Sequence, residues 1–142
     1  MGKSLGLVSC TKSKRSHRCP AREMYQASEL FRKAYKYAIK HYDYVAILSA
    51  KYGLLLPEEE IDPYQLTLKS MTTEEQRNWS EKVLSQLEGK LDALGISEVF
   101  FHAGFEYRRH LVEQLGERGI RCHVPLKGLG IGQQKAWYLD HA

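Results

Sequence analysis

Two side chains, Asp62 and His102, are the strongest candidates for acid–base chemistry in this sequence. A carboxylate can activate water or stabilise a developing positive charge, and an imidazole can share a proton near neutral pH. Asp62 stands in an Asp-Pro-Tyr tripeptide, where Pro63 restricts the backbone of the turn. Each residue also has an ordinary structural explanation, because Asp62 can hydrogen-bond its own turn and His102 can bond a backbone carbonyl. We predict both as catalytic residues and keep those structural roles as alternatives.

A second group of reactive side chains follows the short apolar run 5–8. Its hydroxyl and ammonium groups are those of Ser9, Thr11, Ser13, Lys12 and Lys14. Neither a GxxxxGK[ST] nor a GxGxxG pattern occurs, so the sequence predicts neither a P-loop nor a dinucleotide fingerprint. Cys10, in the same segment, could act as a nucleophile or simply be a buried thiol at the end of a strand.

Positive charge is concentrated at the amino terminus. Residues 1–22 contain six lysines or arginines and no acid, so this segment carries +6 while the remainder carries −2 of the net charge of +4. A local positive field of this kind attracts the phosphates of a nucleotide or of a nucleic-acid backbone, and a solvated basic loop is the alternative. We therefore predict a phosphate-bearing partner. No membrane partner is expected, because no stretch approaches the roughly 20 apolar residues of a membrane span.

The length of 142 residues predicts a single domain over residues 1–142. The amino terminus lacks the hydrophobic segment and cleavage site of a signal peptide, so a cytoplasmic location is expected. Cys10, Cys19 and Cys122 have no CxxC spacing, which argues against a disulfide framework and a four-cysteine zinc site. A metal site built from Cys10, His17 and Cys19 is conceivable, but partly buried thiols are the simpler interpretation, and neither metal nor cofactor is predicted. The oligomeric state stays open.

Apolar runs and helical periodicity place these residues on alternating strands and helices. Strands are predicted over 5–8, 45–48, 98–102 and 120–124, with a long polar loop over 12–24. Helices are predicted to start after Ser28, at Thr72 or Thr73, at Glu106 and within the glycine-punctuated stretch 125–132. The right-handed crossover rule then gives a three-layer α/β/α sandwich with a mostly parallel central sheet of about four strands. The strand exits 9–14, 49–64, 102–108 and 125–134 should converge on one edge, where open α/β sheets bind ligands.

Several motifs are similar to those of known proteins. The segment SAKYGLLLPEEEIDPYQLTL, residues 49–68, resembles the S-x-x-[YF]-G-[LV]-[LV]-x-P-x-x-x-I-x-P-Y segment of the YaaA-like proteins and of a related family of small uncharacterised bacterial and phage proteins. With VSCTKSK, FHAGFEYRRHL and PLKGLGIGQQKAWYL, the resemblance to the small family covers nearly the whole chain. The chain also resembles, more distantly, the core domain of archaeosine synthase, an enzyme of 7-deazaguanine chemistry in transfer RNA.

The resemblance implies a base- or phosphate-binding crevice at the carboxyl ends of the strands. The implied activity is a reaction at a nucleobase or an N-glycosidic bond. The catalytic residues that we predict for it, Asp62 and His102, follow from the chemistry of the strand-exit loops and not from the resemblance. A non-catalytic DNA-binding or nucleotide-sensing module is the alternative. The predicted ligand contacts are Ser9, Cys10, Lys12, Lys14, Tyr25, Ser28, Lys51, Tyr52, Gly53, Tyr64, Gly104, Tyr107, Arg108, Gly128 and Gln133.

Overall fold

The computed structural model describes residues 2–142 and contains a five-stranded, mostly parallel β-sheet. The strands of the chain are β1 (Lys3–Ser9), β2 (Cys19–Pro20), β3 (Tyr44–Ser49), β4 (Gly53–Leu55), β5 (Glu60–Ile61), β6 (Ile96–His102) and β7 (Arg121–His123). The order in the main sheet is β4-β3-β1-β6-β7. Neighbours among β3, β1, β6 and β7 pair in parallel, whereas β4 pairs antiparallel with β3. β2 and β5 form a separate antiparallel pair.

The central position of β1 follows from its apolar sequence. Leu5, Leu7 and Val8 are at most 4% exposed, as expected of a strand that is covered on both faces. Gly6 interrupts this apolar run because a side chain would not fit there. A Cβ at this position would lie 2.3 Å from the ring of Tyr42. The strand is therefore enclosed by helices and aromatic side chains.

The helices are α1 (Ala21–Met24), α2 (Glu29–His41), α3 (Thr73–Leu87), α4 (Lys90–Ala93), α5 (Phe105–Glu117) and α6 (Ile131–Asp140). α2 packs on β1 and α6, whereas α3 packs on β4 and α5. Their buried side chains and those of the sheet form one hydrophobic cluster. Within residues 2–142, no helix combines the length and the apolar character that crossing a membrane requires.

The predicted starts of α2 and α3 are confirmed by their caps. The Ser28 hydroxyl accepts a hydrogen bond from the Phe31 N–H at 3.1 Å. Thr72 and Glu75 form a reciprocal capping box, in which each side chain accepts from the other residue's backbone N–H. α3 ends at Leu87, because Gly89 adopts φ 81° and separates α3 from α4.

The predicted sheet of about four strands is corrected to five. Gly53, at φ 77°, turns the chain so that β4 folds back on β3 as an antiparallel edge strand. The segment 12–24, predicted as a loop, contains β2 and α1. β2 is short and pairs with β5 from a distant part of the chain, so no local periodicity marks either strand.

Candidate functional site

The carboxyl ends of β1, β3 and β6 meet at one side of the sheet, which we call the carboxyl edge. β1 leads there into residues 10–14, β3 ends there at Ser49, and β6 leads into residues 103–107. The chain places β3 on one side of β1 and later places β6 on the other side. The strand order therefore reverses beside β1, and open α/β sheets bind their ligands at such reversals.

Three buried hydroxyl groups form a hydrogen-bonded cluster beneath the carboxyl edge, which we call the hydroxyl network. The Ser49 hydroxyl donates to the Tyr64 hydroxyl at 2.8 Å, and the Tyr25 and Tyr64 hydroxyls lie 2.7 Å apart. The Ser49 oxygen also accepts from the backbone N–H of Tyr52 at 3.0 Å. Burial raises the pKa of Tyr25 and that of Tyr64, so both hydroxyls remain protonated at neutral pH.

Lys14 brings a positive charge to the hydroxyl network. Its ammonium nitrogen lies 4.5 Å from the centre of the Tyr64 ring, within the range of a cation–π contact. The same nitrogen donates to the backbone carbonyl of Lys12 at 3.3 Å. Partial burial lowers the pKa of Lys14, and the nearby Cys10 opposes this shift. No carboxylate within residues 2–142 forms an ion pair with Lys14.

Cys10 connects the end of β1 to α5. Its Sγ donates a hydrogen bond to the Tyr107 hydroxyl at 3.4 Å. The Tyr107 ring packs edge-on against Trp79, with the ring centres 5.6 Å apart. Cys10 and Tyr107 are each only 8% exposed, so a molecule in solution has little direct access to the thiol. This environment favours the buried-thiol interpretation of Cys10 over a nucleophilic role.

Asp62 lies at the exposed rim of the carboxyl edge. Its carboxylate accepts a hydrogen bond from Arg18 at 3.0 Å, and the two side chains are 60% and 57% exposed. The Tyr52 hydroxyl holds the backbone of Asp62, since it accepts from the Asp62 N–H at 3.3 Å and lies 3.4 Å from the Asp62 carbonyl oxygen. The Asp-Pro-Tyr turn is thus fixed by a side chain from the neighbouring loop.

His102 is enclosed between two tyrosines. Its Nε2 lies 2.6 Å from the Tyr42 hydroxyl, and its Nδ1 lies 2.7 Å from the Tyr138 hydroxyl. Burial, with a smaller contribution from His41, lowers the pKa of His102 to about 4. The imidazole is therefore neutral at pH 7, with one nitrogen donating and the other accepting. The structure joins it to Asp62 by neither a hydrogen bond nor an ion pair, so the two predicted catalytic residues lie in separate surroundings.

The arginines of the basic amino-terminal segment pair with acids from later in the chain. Arg15 contacts Glu23 at 3.5 Å, Arg18 contacts Asp62 as above, and Arg22 contacts Glu58 at 2.8 Å. Folding therefore offsets three of the six cations of residues 1–22. At the carboxyl edge, Lys12 and Lys14 are the cations of this segment that have no carboxylate partner within residues 2–142.

Several other residues that were predicted to contact the ligand have structural roles. Ser28 caps α2, and the Gln133 side chain caps α6 by accepting from the Gly130 N–H at 2.9 Å. Gly53 and Gly128 both have positive φ, 77° and 85°, which favours glycine at these turns. These four positions therefore shape the loops around the carboxyl edge.

The remaining polar contacts of the prediction lie near the surface. Ser9 is half-buried at the end of β1, and Lys12 and Lys51 are exposed. The Lys51 ammonium lies 5.3 Å from the centre of the Tyr52 ring. They are accessible to a ligand, unlike Cys10.

Phe105, Arg108 and Arg109 form an exposed surface at the start of α5, directly after Gly104, which we call the Phe105 platform. The predicted contacts included Gly104 and Arg108 but not Phe105 or Arg109. Phe105 follows the N-cap Gly104 and is 54% exposed. The guanidinium carbons of Arg108 and Arg109 lie 5.5 and 5.6 Å from its ring centre. The Arg108 Nε is buried without a hydrogen-bond partner in the described part of the chain. The sequence did contain a signal for this platform. Phe105 directly follows a glycine at the end of a strand, and two arginines stand three and four positions later.

Ser49, the centre of the hydroxyl network, was also absent from the predicted contacts. It opens the SAKYG motif and ends an apolar strand, so its position was visible in the sequence. Its role in the hydroxyl network could not be predicted from the sequence, because its partners Tyr25 and Tyr64 come from distant segments. Within residues 2–142, no group of three or more His, Cys, Asp or Glu side chains is arranged to hold a metal ion.

Comparison with known proteins identifies a family but no activity. A crystal structure of AF0587, a protein of unknown function, aligns with 99% of this chain at 17% identity and a TM-score of 0.49. The chain spans 44% of the length of that protein. No curated protein matches it, and none of the comparisons links it to YaaA-like proteins or archaeosine synthase. A family of unknown function, DUF6884, matches residues 5–140, and the chain therefore belongs to this family.

Proposed function

We propose that this protein binds a phosphate-bearing ligand, a nucleotide or a nucleic acid, in a crevice at the carboxyl edge. The observation that carries the proposal is the Lys14 ammonium, which is partly buried against Tyr64 and has no carboxylate partner among residues 2–142. A cation that has lost part of its hydration gains free energy from a nearby anion. The exposed Lys12 adds a second positive charge beside it.

The distribution of ion pairs supports an anionic ligand at this position. Arg15, Arg18 and Arg22 are already paired with carboxylates, so their charges are offset within the protein. The two lysines at the carboxyl edge are not paired in this way. A phosphate placed there would meet positive charge that the fold leaves available.

The Phe105 platform supports a nucleotide in preference to a simple phosphate. Nucleobases stack on exposed aromatic rings and on guanidinium planes, and Phe105, Arg108 and Arg109 supply both. α5 also begins at Gly104 without a side-chain cap. The backbone N–H groups of Phe105 and Glu106 can therefore donate to phosphate oxygens, whereas those of Tyr107 and Arg108 bond the Gly104 carbonyl.

The proposed crevice belongs to a three-layer α/β/α sandwich, which is the arrangement we infer for the whole fold. The packing of α2 on α6 and of α3 on α5 supports this arrangement. In such a sandwich the loops that follow parallel strands gather at one edge, because each crossover helix returns the chain to the opposite edge.

The test is a calorimetric titration with a panel of nucleoside mono- and triphosphates. The double variant Lys12→Gln/Lys14→Gln should bind about tenfold more weakly or worse, since a charge-assisted hydrogen bond contributes about 1.5–3 kcal/mol. The control is Lys69→Gln/Lys90→Gln, which removes the same charge from two other exposed positions. Equal affinity of the lysine variant and the control would contradict the proposed crevice.

Reaction at a nucleobase or an N-glycosidic bond is a second candidate function, and the fixed turn at Asp62 favours it. The bonds of Tyr52 to the backbone of Asp62 hold the turn, while the 60% exposed carboxylate is accessible to a substrate. The enclosure of His102 between Tyr42 and Tyr138 instead favours the alternative, a DNA-binding or nucleotide-sensing module without chemistry.

Mass spectrometry of released base tests the catalytic candidate. The protein is incubated with nucleosides, nucleotides, and DNA that contains uracil or deazaguanine. Release that disappears in Asp62→Asn but persists in Glu60→Gln, an exposed acid nearby, would support Asp62 as the catalytic residue. Release that survives Asp62→Asn removes Asp62 from the mechanism, and no release from any substrate favours the binding module.

A further inference from the structure

The outer face of α2 carries a regular row of cations, which we call the basic stripe: Arg32, Lys36 and Lys40. All three side chains are exposed. Their spacing of four residues places them on one side of the helix at intervals of about 6 Å, so the stripe is roughly 12 Å long. Within residues 2–142, none of the three forms an ion pair.

The positive charge of α2 contrasts with the helices that pack on each other elsewhere. α2 contains four lysines or arginines and one acid, a net +3, and that acid, Glu29, is paired with Lys135 at 3.2 Å. α3 and α5 each contain three acids and two lysines or arginines, a net −1 for each helix. Among these three helices α2 therefore carries the most positive charge, which attracts a polyanion to its outer face.

An open groove of about 530 Å³ runs beside the basic stripe. Its lining residues are Gln26, Arg32, Lys33, Tyr35, Lys36 and Ile39. Amide, phenol, lysine and arginine side chains are the usual donors to phosphate and sugar oxygens. Burial raises the pKa of Tyr35, so its hydroxyl stays protonated and available as a donor.

The basic stripe leads away from the carboxyl edge. α2 begins after the loop that carries Lys12 and Lys14 and leads back to the start of β3, so it runs from the carboxyl edge toward the opposite edge. A chain of phosphates that leaves the crevice along this helix would meet Arg32 first, then Lys36 and Lys40.

We propose that the basic stripe and its groove bind the sugar–phosphate backbone of a nucleic acid, so that the ligand of the carboxyl edge is a polynucleotide. This inference rests on the proposed function, since the crevice holds one nucleotide and α2 holds the backbone that continues from it. A membrane surface fits less well, because an interfacial helix buries its apolar face in lipid. The apolar residues Phe31, Ala34 and Ala38 of α2 are already buried in the protein core.

The test compares two charge-matched triple variants in fluorescence anisotropy titrations. Arg32→Gln/Lys36→Gln/Lys40→Gln removes the basic stripe, and Arg77→Gln/Lys82→Gln/Lys90→Gln removes the same charge from exposed positions on α3 and α4. The probes are a short labelled single strand, the matching duplex and a labelled mononucleotide, each at several NaCl concentrations. Circular dichroism verifies that both variants are folded.

The stripe variant should bind the oligonucleotide at least about tenfold more weakly, and the slope of log K against log salt should fall by about 2.7 for duplex or about 2 for single strand. The control variant should keep both values close to those of the unchanged protein. Mononucleotide binding should be the same in all three proteins, because it depends on the crevice.

Failure of this inference is distinguishable from failure of the proposed function. If the unchanged protein binds mononucleotide but the two triple variants bind oligonucleotide equally, the stripe is not the backbone site and the crevice stands. If the stripe variant loses oligonucleotide binding while mononucleotide is never bound, the stripe stands and the crevice is refuted. Binding to vesicles of phosphatidylserine and phosphatidylcholine, with no binding of either oligonucleotide, would overturn the inference in favour of a lipid surface.

Discussion

Replacing Tyr64 by Phe should destabilise the fold by about 2–4 kcal/mol, because the hydroxyl that is lost has two buried partners. Ser49 donates to it at 2.8 Å, and the Tyr25 hydroxyl lies 2.7 Å from it. Ser49 and Tyr25 have no measurable exposure, so water does not replace the missing group. Each buried polar group that is left unpaired costs about 1–3 kcal/mol. The ring of residue 64 remains, so its packing and its contact with Lys14 are preserved.

Urea unfolding measures this loss directly. For a chain of this length, 1 kcal/mol corresponds to roughly 3–4 °C in Tm, so Tyr64→Phe should lower Tm by about 6–16 °C. The control is Tyr44→Phe, which removes the hydroxyl of a half-buried side chain. This hydroxyl is not among the buried polar groups of residues 2–142, so its loss should cost less than about 0.5 kcal/mol. A double-mutant cycle with Ser49→Ala should show a coupling free energy of about 1 kcal/mol.

A Tyr64→Phe protein as stable as the unchanged one would refute the hydroxyl network as a stabilising element. Ligand affinity is the second readout, because Lys14 contacts the ring and not the hydroxyl. The affinity for a nucleotide should therefore change by less than about threefold, well below the loss expected for removing a charged contact. If binding falls while stability is unchanged, the hydroxyl belongs to the ligand site and not to the core.

Two further predictions follow from local environments. The pKa of His102 is about 4 in the folded protein, below the ordinary 6.5, because the buried ring resists protonation. The free energy of unfolding is therefore highest above pH 6.5, and it should fall by roughly 2–3 kcal/mol as the pH falls from 6.5 toward 4. His102→Gln should flatten the pH dependence of the free energy of unfolding in urea between pH 4 and 6.5. An equally steep profile would show that His102 does not cause this dependence. Gly53→Ala should cost about 1–3 kcal/mol, because φ is 77° and the new Cβ would lie 2.4 Å from the Gln86 Oε1. Gly119→Ala shares the positive φ but has no atom within 4 Å of the new Cβ, so equal losses in thermal unfolding would show that the Gln86 contact is unimportant.

The starts of α2 and α3 could be predicted from the sequence because capping is local. The Ser28 hydroxyl bonds the N–H three residues on, and Thr72 and Glu75 satisfy each other at the same spacing. The buried strands could be predicted as well, since β1 and β3 are short apolar runs bounded by polar residues. Such signals lie within a few positions of one another, so a single sequence contains them.

Pairings between distant segments could not be predicted in this way. β2 and β5 are two residues each, and their strand conformation depends on Cys19 facing Ile61. The basic segment reads as six uncompensated cations, yet Arg18 and Arg22 meet Asp62 and Glu58 only when the chain folds. Charge counted along a sequence therefore overestimates the charge that a folded surface presents.

The candidate site also combines features that the sequence predicts with features that depend on the folded structure. Local composition marks the ends of strands, so the sequence alone predicts that hydroxyls, lysines, an aspartate and a histidine follow them. The folded chain brings Ser49, Tyr25 and Tyr64 into one buried network and places His102 between Tyr42 and Tyr138, and neither grouping is visible along the sequence. These groupings depend on packing, because a strand presents its side chains to opposite faces and the helix that packs on each face determines which partners a side chain meets.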